Sequence, residues 1–132
     1  MTIQSGAVLT LASGIEDEFG DSSYEIFVNG TLNAQSMTFT NSYTEIQANS
    51  GSTVNLSGAT FTSGHIYYNA GSSGTVQGCQ NSGYVHLYSS SVNVTDSQFS
   101  YIDVGNCSPT VTNTTLTQTY PIRITDPDYI NS

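Results

Sequence analysis

Basic residues are almost absent from this sequence. Arg123 is the only Lys or Arg among 132 residues, against ten Asp and Glu, and the formal net charge is −9. Nucleic acids and anionic membranes attract proteins mainly through Lys and Arg. The composition therefore argues against both as partners.

Long apolar segments are missing as well. No run approaches the ~18 residues that mark a membrane-spanning helix, and no basic stretch followed by an apolar one marks a signal peptide. Only 8% of the residues are charged, whereas nine Tyr and five Phe are present. Disordered chains combine high net charge with few aromatic residues, so we expect a folded chain without membrane insertion.

What the chain does contain is a repeat of about 20 residues. Each repeat has a short segment with a β-branched residue and a second apolar residue two positions later. Alternate residues of a strand lie on one face, so each segment has one apolar face. The first positions are Ile26, Ile46, Ile66, Val85, Ile102 and Ile122, and the second are Val28, Ala48, Tyr68, Leu87, Val104 and Ile124.

Two further sets of apolar positions advance with the first. The paired set is Leu9/Leu11, Leu32/Ala34, Val54/Leu56, Gly74/Val76, Val92/Val94 and Pro109/Val111, and the single set is Phe39, Phe61, Asn81, Phe99 and Leu116. The fourth repeat is the weakest, because Gly74 and Asn81 stand at apolar places. Repetition with this period marks a solenoid. The sequence therefore predicts an all-β fold: a single-stranded parallel β-helix of about five to six coils, each with three short strands.

The whole chain, residues 1–132, is interpreted as one domain. Residues 1–23 provide an initial coil and an acidic loop, residues 24–125 the regular coils, and residues 126–132 a C-terminal tail. We expect Ile3 to precede Ile26 in its column. Pro127 ends the repeat pattern because proline cannot donate a hydrogen bond to a strand ladder.

Both cysteines are predicted to be free thiols. Cys79 and Cys107 fall in different columns of the repeat and lie near valines that are two coils apart. Stacked strands are separated by roughly 4.8 Å, so the two Cα atoms should exceed the ~7 Å that a disulfide allows. We expect Cys79 to be buried beside Ala59.

Several segments resemble known repeats. Residues 27–35 (FVNGTLNAQ), residues 6–14 (GAVLTLASG) and residues 108–116 (SPTVTNTTL) look like coils of secreted right-handed parallel β-helix proteins, the pectate-lyase-like superfamily. The resemblance implies a right-handed β-helix that is secreted or lies at the cell surface. It does not imply one activity, because that superfamily includes pectate lyases, adhesins and plain surface stalks.

One outward column could suggest catalysis. His86, Asp103 and Arg123 follow one another on consecutive predicted strands, as acid–base chemistry could use. Enzymes of the resembling fold use clustered Asp residues, with Lys or Arg on the sugar carboxylates, whereas this chain has one Asp there and no Lys. We interpret the column as an exposed ion pair and predict that the protein is not an enzyme.

Carboxylates concentrate in one short segment, where they could bind calcium through oxygen ligands. The candidate ligands are Glu16, Asp17, Glu18 and Asp21. Their spacing does not match an EF-hand, so we favour a solvated acidic loop and predict no cofactor, with calcium as the alternative. Glu25, Glu45 and His65 share a column, where a weak metal site is the alternative to solvent-exposed, screened side chains.

The expected function is that of a non-enzymatic extracellular structural or surface module. The last coil of a solenoid exposes unpaired backbone groups. We therefore expect that end to meet a second copy, head to tail in a filament, or a flanking domain of a longer stalk. The alternative is a carbohydrate- or ice-binding module with a flat Thr/Asn face. The candidate binding residues are Asn33, Asn55, Thr60, Thr62, Asn93 and Thr110.

Overall fold

A computed structural model describes residues 1–12, 16–17, 23–40 and 43–124. These residues form β-strands joined by short turns, with no helix among them. All strand pairs are parallel, and the strands are arranged in three sheets, here called A, B and C. The chain passes through the three sheets in turn and repeats this circuit, so the predicted β-solenoid with three strands per coil is confirmed.

Each sheet collects every third strand, in chain order. Sheet A contains β1 (Thr2–Ile3), β4 (Ser23–Val28), β7 (Tyr43–Ala48), β10 (Gly64–Tyr68), β13 (Tyr84–Tyr88), β16 (Tyr101–Gly105) and β19 (Ile122–Ile124). Sheet B contains β2 (Val8–Leu11), β5 (Thr31–Gln35), β8 (Thr53–Ser57), β11 (Ser73–Gln77), β14 (Ser91–Thr95) and β17 (Thr110–Thr112). Sheet C contains β3 (Glu16–Asp17), β6 (Thr38–Phe39), β9 (Thr60–Phe61), β12 (Gln80–Asn81), β15 (Gln98–Phe99) and β18 (Thr115–Leu116).

The predicted columns are confirmed by the register of sheet A. Ile46 pairs with both Ile26 and Ile66, and the column continues through Val85 and Ile102. These side chains are buried in a core that all three sheets enclose. One expectation is wrong: β1 places Ile3 beside Val28, not beside Ile26, because Thr2 pairs with Phe27.

In the weak fourth repeat, a glycine stands beside a backbone carbonyl that a buried tyrosine binds. Tyr68 is fully buried, and its hydroxyl donates a hydrogen bond of 2.9 Å to the carbonyl oxygen of Val54. Gly74 pairs with Val54. A Cβ atom at Gly74 would lie 1.8 Å from that same oxygen. The absence of a side chain at Gly74 therefore leaves the Val54 carbonyl free to accept the bond from Tyr68.

Asn81 replaces an aromatic residue in the core without leaving its amide unsatisfied. The backbone N–H groups of Gly64 (2.8 Å) and Gly83 (2.7 Å) donate to its Oδ1, and its Nδ2 donates to the Gly64 carbonyl at 2.8 Å. The neighbouring core positions hold Phe61 and Phe99, so the amide stands in the aromatic column. A buried amide is tolerated in this position because it makes these three bonds.

Both cysteines are free, as predicted. Cys79 is fully buried, whereas Cys107 is half-buried. Burial raises the pKa of the Cys79 thiol, and only the thiolate reacts rapidly with alkylating agents.

We therefore expect iodoacetamide to modify Cys107 first in the folded protein and Cys79 only after unfolding. Peptide mass spectrometry over time measures the two rates, and alkylation in denaturant without reductant provides the total. Equal rates in the folded state would contradict the burial of Cys79, and fewer than two free thiols in denaturant would contradict the absence of a disulfide.

Candidate binding surfaces

Four of the six predicted binding residues lie in one column on the outer side of sheet B. Asn33, Asn55, Asn93 and Thr110 align with Thr75 through successive strand pairs. Asn55 Nδ2 donates to Asn33 Oδ1 at 2.9 Å, and Thr75 Oγ1 donates to Asn55 Oδ1 at 3.3 Å. These neighbours form an amide and hydroxyl ladder on an outer sheet side that carries no charged residue.

The other two predicted binding residues lie elsewhere. Thr60 belongs to β9 in sheet C, and Thr62 follows that strand; both are exposed. Thr60 aligns with Thr38 and Gln80, in a column separate from the sheet B ladder. The structure therefore divides the predicted Thr/Asn set between two sides of the solenoid.

Two residues of the acidic segment lie at the N-terminal edge of sheet C. Glu16 and Asp17 form β3, which pairs with Thr38 and Phe39. Glu18 and Asp21, the other two candidate calcium ligands, lie outside the described residues. Within the described part of the chain, no group of three or more His, Cys, Asp or Glu could hold a metal ion.

The outer side of sheet A differs from those of sheets B and C because aromatic and ionisable side chains cover it. We call this surface the aromatic face. It comprises Glu25, Phe27, Tyr43, Glu45, Gln47, His65, Tyr67, Tyr84, His86, Tyr88, Tyr101, Asp103 and Arg123. Both histidines and the only basic residue of the chain lie on it.

Ring contacts run along the aromatic face from coil to coil. The centroid of His65 lies 4.6 Å from that of Tyr43 and 4.2 Å from that of Tyr84. Tyr84 and Tyr101 are stacked, with centroids 4.6 Å apart and planes 14° apart. The guanidinium carbon of Arg123 lies 3.9 Å from the centroid of Tyr101, so a cation–π contact ends the series.

A second column lies beside these rings. The hydroxyl groups of Tyr67 and Tyr84 are hydrogen-bonded to each other, and the planes of the two rings are nearly perpendicular. His86 Nδ1 lies 3.5 Å from Asp103 Oδ2. The two side chains are thus placed as the expected ion pair requires, whereas Arg123, the register partner of Asp103, contacts the Tyr101 ring.

Two carboxylates occupy neighbouring strands at the other end of the aromatic face. Glu25 and Glu45 are register partners. Glu45 accepts hydrogen bonds from Tyr43, at 2.5 Å, and from Gln47. The carboxylate of Glu25 has no hydrogen bond or ion pair with the described side chains, whereas its backbone carbonyl accepts a hydrogen bond of 2.8 Å from the N-terminal ammonium of Met1. No Lys or Arg occurs near Glu25 in the sequence. The predicted column of Glu25, Glu45 and His65 is confirmed by the register.

Partial burial shifts the pKa values of several groups on this face. Burial lowers the pKa of His65, although the Glu45 carboxylate opposes this effect. Burial and the hydrogen bond to Glu45 raise the pKa of Tyr43, and burial also raises the pKa values of Tyr67 and Tyr84. Tyr43, Tyr67 and Tyr84 therefore stay uncharged to a higher pH than free tyrosine, and His65 favours its neutral form.

At the C-terminal end of the part of the chain that the structure describes, the interior of the last coils is open. A cavity of about 280 Å³ opens there, and its lining is apolar. The lining residues are Ile102, Val104, Pro109, Val111, Ile122 and Ile124. Ile122 and Ile124 are 58% and 82% exposed although they continue the two core columns. A contiguous exposed apolar surface commonly marks a site of interaction with another molecule.

The chain matches no protein-family model, no curated protein and no solved structure. Its parallel solenoid is consistent with a β-helix fold, whereas membership of the pectate-lyase-like superfamily rests on the sequence resemblance. Among the described residues, no helix is long and apolar enough to cross a membrane.

The sequence predicted the outward columns of sheet A, but it did not show that these columns form one continuous aromatic face. Two of its columns were interpreted separately, as an ion pair and as solvent-exposed carboxylates. The sequence nevertheless contains a pattern that indicates such a face. Tyr and His are concentrated at the outward positions of one strand family, whereas the outward positions of the other two families hold mainly Thr, Ser, Asn and Gln.

Proposed function

We propose that this chain is a non-enzymatic structural module of the cell exterior whose copies stack end to end. The observation that carries the proposal is the apolar C-terminal end, where core columns continue into exposed Ile122 and Ile124. The partner we propose is the N-terminal coil of a second copy. Such a head-to-tail contact does not close on itself and therefore propagates into a filament.

The register of sheet A supports this partner. Arg123 and Phe27 lie in one outward column, and Thr2 of β1 joins that column by pairing with Phe27. If β1 of a second copy continues sheet A after β19 in the same register, Ile124 meets the second copy's Ile3, and Ile122 meets its Met1. Met1 is 43% exposed. The contact would therefore cover apolar side chains on both ends.

The charge of the chain supports end contacts over side contacts. The net charge of −9 resists lateral bundling of filaments. The C-terminal end is apolar, whereas the N-terminal edge of sheet C carries Glu16 and Asp17. Salt should therefore promote the contact by screening these carboxylates and the net charge. If calcium binds Glu16, Asp17, Glu18 and Asp21, it would add to this effect by neutralising their charge.

Sedimentation velocity and electron microscopy test the proposal. We expect association that rises with protein concentration and with salt, and that Ile124→Asp abolishes because it places a charge in an apolar contact. Gln77→Asp adds the same charge on the exposed outer side of sheet B and should associate at least ten-fold more strongly than Ile124→Asp.

Two results would overturn the stacking proposal. One is a monomer at every concentration and salt condition. The other is association that appears only after residues 125–132 are removed, since that would identify the chain's own tail as the cover of the C-terminal end. Equal association of the two aspartate variants would also count against the proposed contact.

A second candidate function is binding of carbohydrate or ice through the outer side of sheet B. The supporting observation is the uncharged ladder of Asn33, Asn55 and Thr75, whose hydrogen bonds hold the side chains in fixed positions. Glycan arrays and an ice-recrystallisation assay separate this function from stacking, which predicts a negative result in both.

A further inference from the structure

The aromatic face carries three carboxylates and a single basic residue. Glu25, Glu45 and Asp103 lie in two adjacent outward columns, and Arg123 is the only Lys or Arg of the chain. The N-terminal ammonium of Met1 also lies near Glu25, because it donates a hydrogen bond of 2.8 Å to the backbone carbonyl of Glu25. Arg123 lies five strands away from Glu25 along sheet A. The end of the face near Glu25 therefore has negative charge without a counter-charge from Lys or Arg.

One guanidinium group, that of Arg123, already binds to the aromatic face. Arg123 places its guanidinium carbon 3.9 Å from the centroid of Tyr101, whose ring stacks on Tyr84. A planar guanidinium can stack on an aromatic ring while its N–H groups bind carboxylates. The remaining parts of the face combine the same two chemical groups.

Further rings lie near the two glutamates, which have no Lys or Arg beside them. Phe27 is 37% exposed, lies two residues after Glu25 and is separated from Tyr67 by Gln47 in the same column. The ring of Tyr67 is nearly perpendicular to that of Tyr84, so the two are not stacked face to face. An incoming guanidinium would thus find aromatic surface and a carboxylate within one part of the face.

We propose that the aromatic face binds an extended, arginine-bearing segment of a partner protein. The segment lies along the solenoid axis, across the strands. Six strands from β4 to β19 are separated by five steps of roughly 4.8 Å, or about 24 Å in total. An extended peptide covers this length with about seven residues at ~3.3 Å each. This inference does not depend on end-to-end stacking.

Titration with a seven-residue peptide of alternating Arg and Ser tests the proposal, with calorimetry and amide chemical shifts as readouts. We expect saturable binding that weakens with salt and shifts confined to sheet A. The same peptide with Gln in place of Arg should not bind. Glu25→Gln should weaken binding roughly five-fold, as for one partly exposed charge pair, and Tyr67→Ser should weaken it by a similar factor.

Two variants separate this site from general charge attraction. Asp96→Asn removes one negative charge at a corner away from sheet A and should change affinity less than two-fold; asparagine suits the positive φ of 51° at that position. Arg123→Gln frees the Tyr101 ring and removes the competing cation, so it should strengthen binding roughly three-fold or more.

The proposal is overturned if Asp96→Asn weakens binding as much as Glu25→Gln, because binding would then follow net charge. It is also overturned if Arg123→Gln weakens binding, or if the peptide does not bind. A neutral oligosaccharide that binds the face and loses affinity with Tyr67→Ser, when the peptide does not bind, would identify a glycan site in its place.

Discussion

Ile66→Asp is expected to prevent folding. Ile66 is fully buried between Ile46 and Val85 in the middle of sheet A. A carboxylate there would have apolar neighbours above and below it and no cation to pair with. Burying an unpaired charge costs several kcal/mol, which is comparable to the whole stability of a domain at ~5–15 kcal/mol. Circular dichroism should show loss of the strand signal and of cooperative melting.

Tyr67→Ser is the matched control for this substitution. Tyr67 follows Ile66 directly but points outward, where it contacts Tyr84 and His86. Its loss should cost about 1 kcal/mol, the size of one ring contact. Similar loss of strand signal in both variants would show that burial does not alternate along β10 as described.

Asn81→Leu is expected to destabilise the fold by about 3 kcal/mol, from loss of the amide's bonds to two buried N–H groups and one carbonyl. The repeat pattern alone suggests the opposite, since an apolar side chain would restore the column of Phe61 and Phe99. Leucine cannot satisfy the groups of Gly64 and Gly83 that Asn81 binds. Urea unfolding of both proteins measures the difference.

Gln80→Leu provides the control for Asn81→Leu. Gln80 precedes Asn81 in β12 and is exposed, so the same new side chain should change stability by less than about 0.5 kcal/mol there. A more stable Asn81→Leu protein would show that aromatic-column packing outweighs the three hydrogen bonds. Gly83, one of the two glycines that Asn81 binds, cannot be replaced by a larger residue without a clash, because a Cβ atom there would lie 2.0 Å from the Gly64 carbonyl oxygen.

The fold was predictable because its physical basis is periodic. Strand side chains alternate every residue, and each coil returns the chain to the same sheet after about one repeat, so the columns of Ile26 and Val28 could be read directly. Ile3 was misplaced because the turn between β1 and β2, residues 4–7, is two residues longer than the turn between β4 and β5, residues 29–30. The register of β1 against β4 is therefore shifted by two residues from that of β2 against β5.

The candidate sites were only partly predictable. Spacing along the chain placed Asn33, Asn55, Asn93 and Thr110 in one column, but it did not show that Thr60 and Thr62 lie around a corner on another side. An open C-terminal end after the strand of Ile124 was expected, because the last coil of a stack has unpaired backbone groups. Its cavity was not, because its volume depends on how the last strands of the three sheets are arranged.

The amino-acid sequence by itself determined the solenoid, its inward and outward positions, its free thiols and its deficit of basic groups, because each follows from period, spacing or composition. Only the tertiary structure decided that Arg123 stacks on Tyr101, that Asn81 satisfies two glycines, and that the aromatic side chains form one continuous face. These features depend on side-chain rotamers and on contacts between coils about 20 residues apart in sequence, which a one-dimensional pattern does not specify.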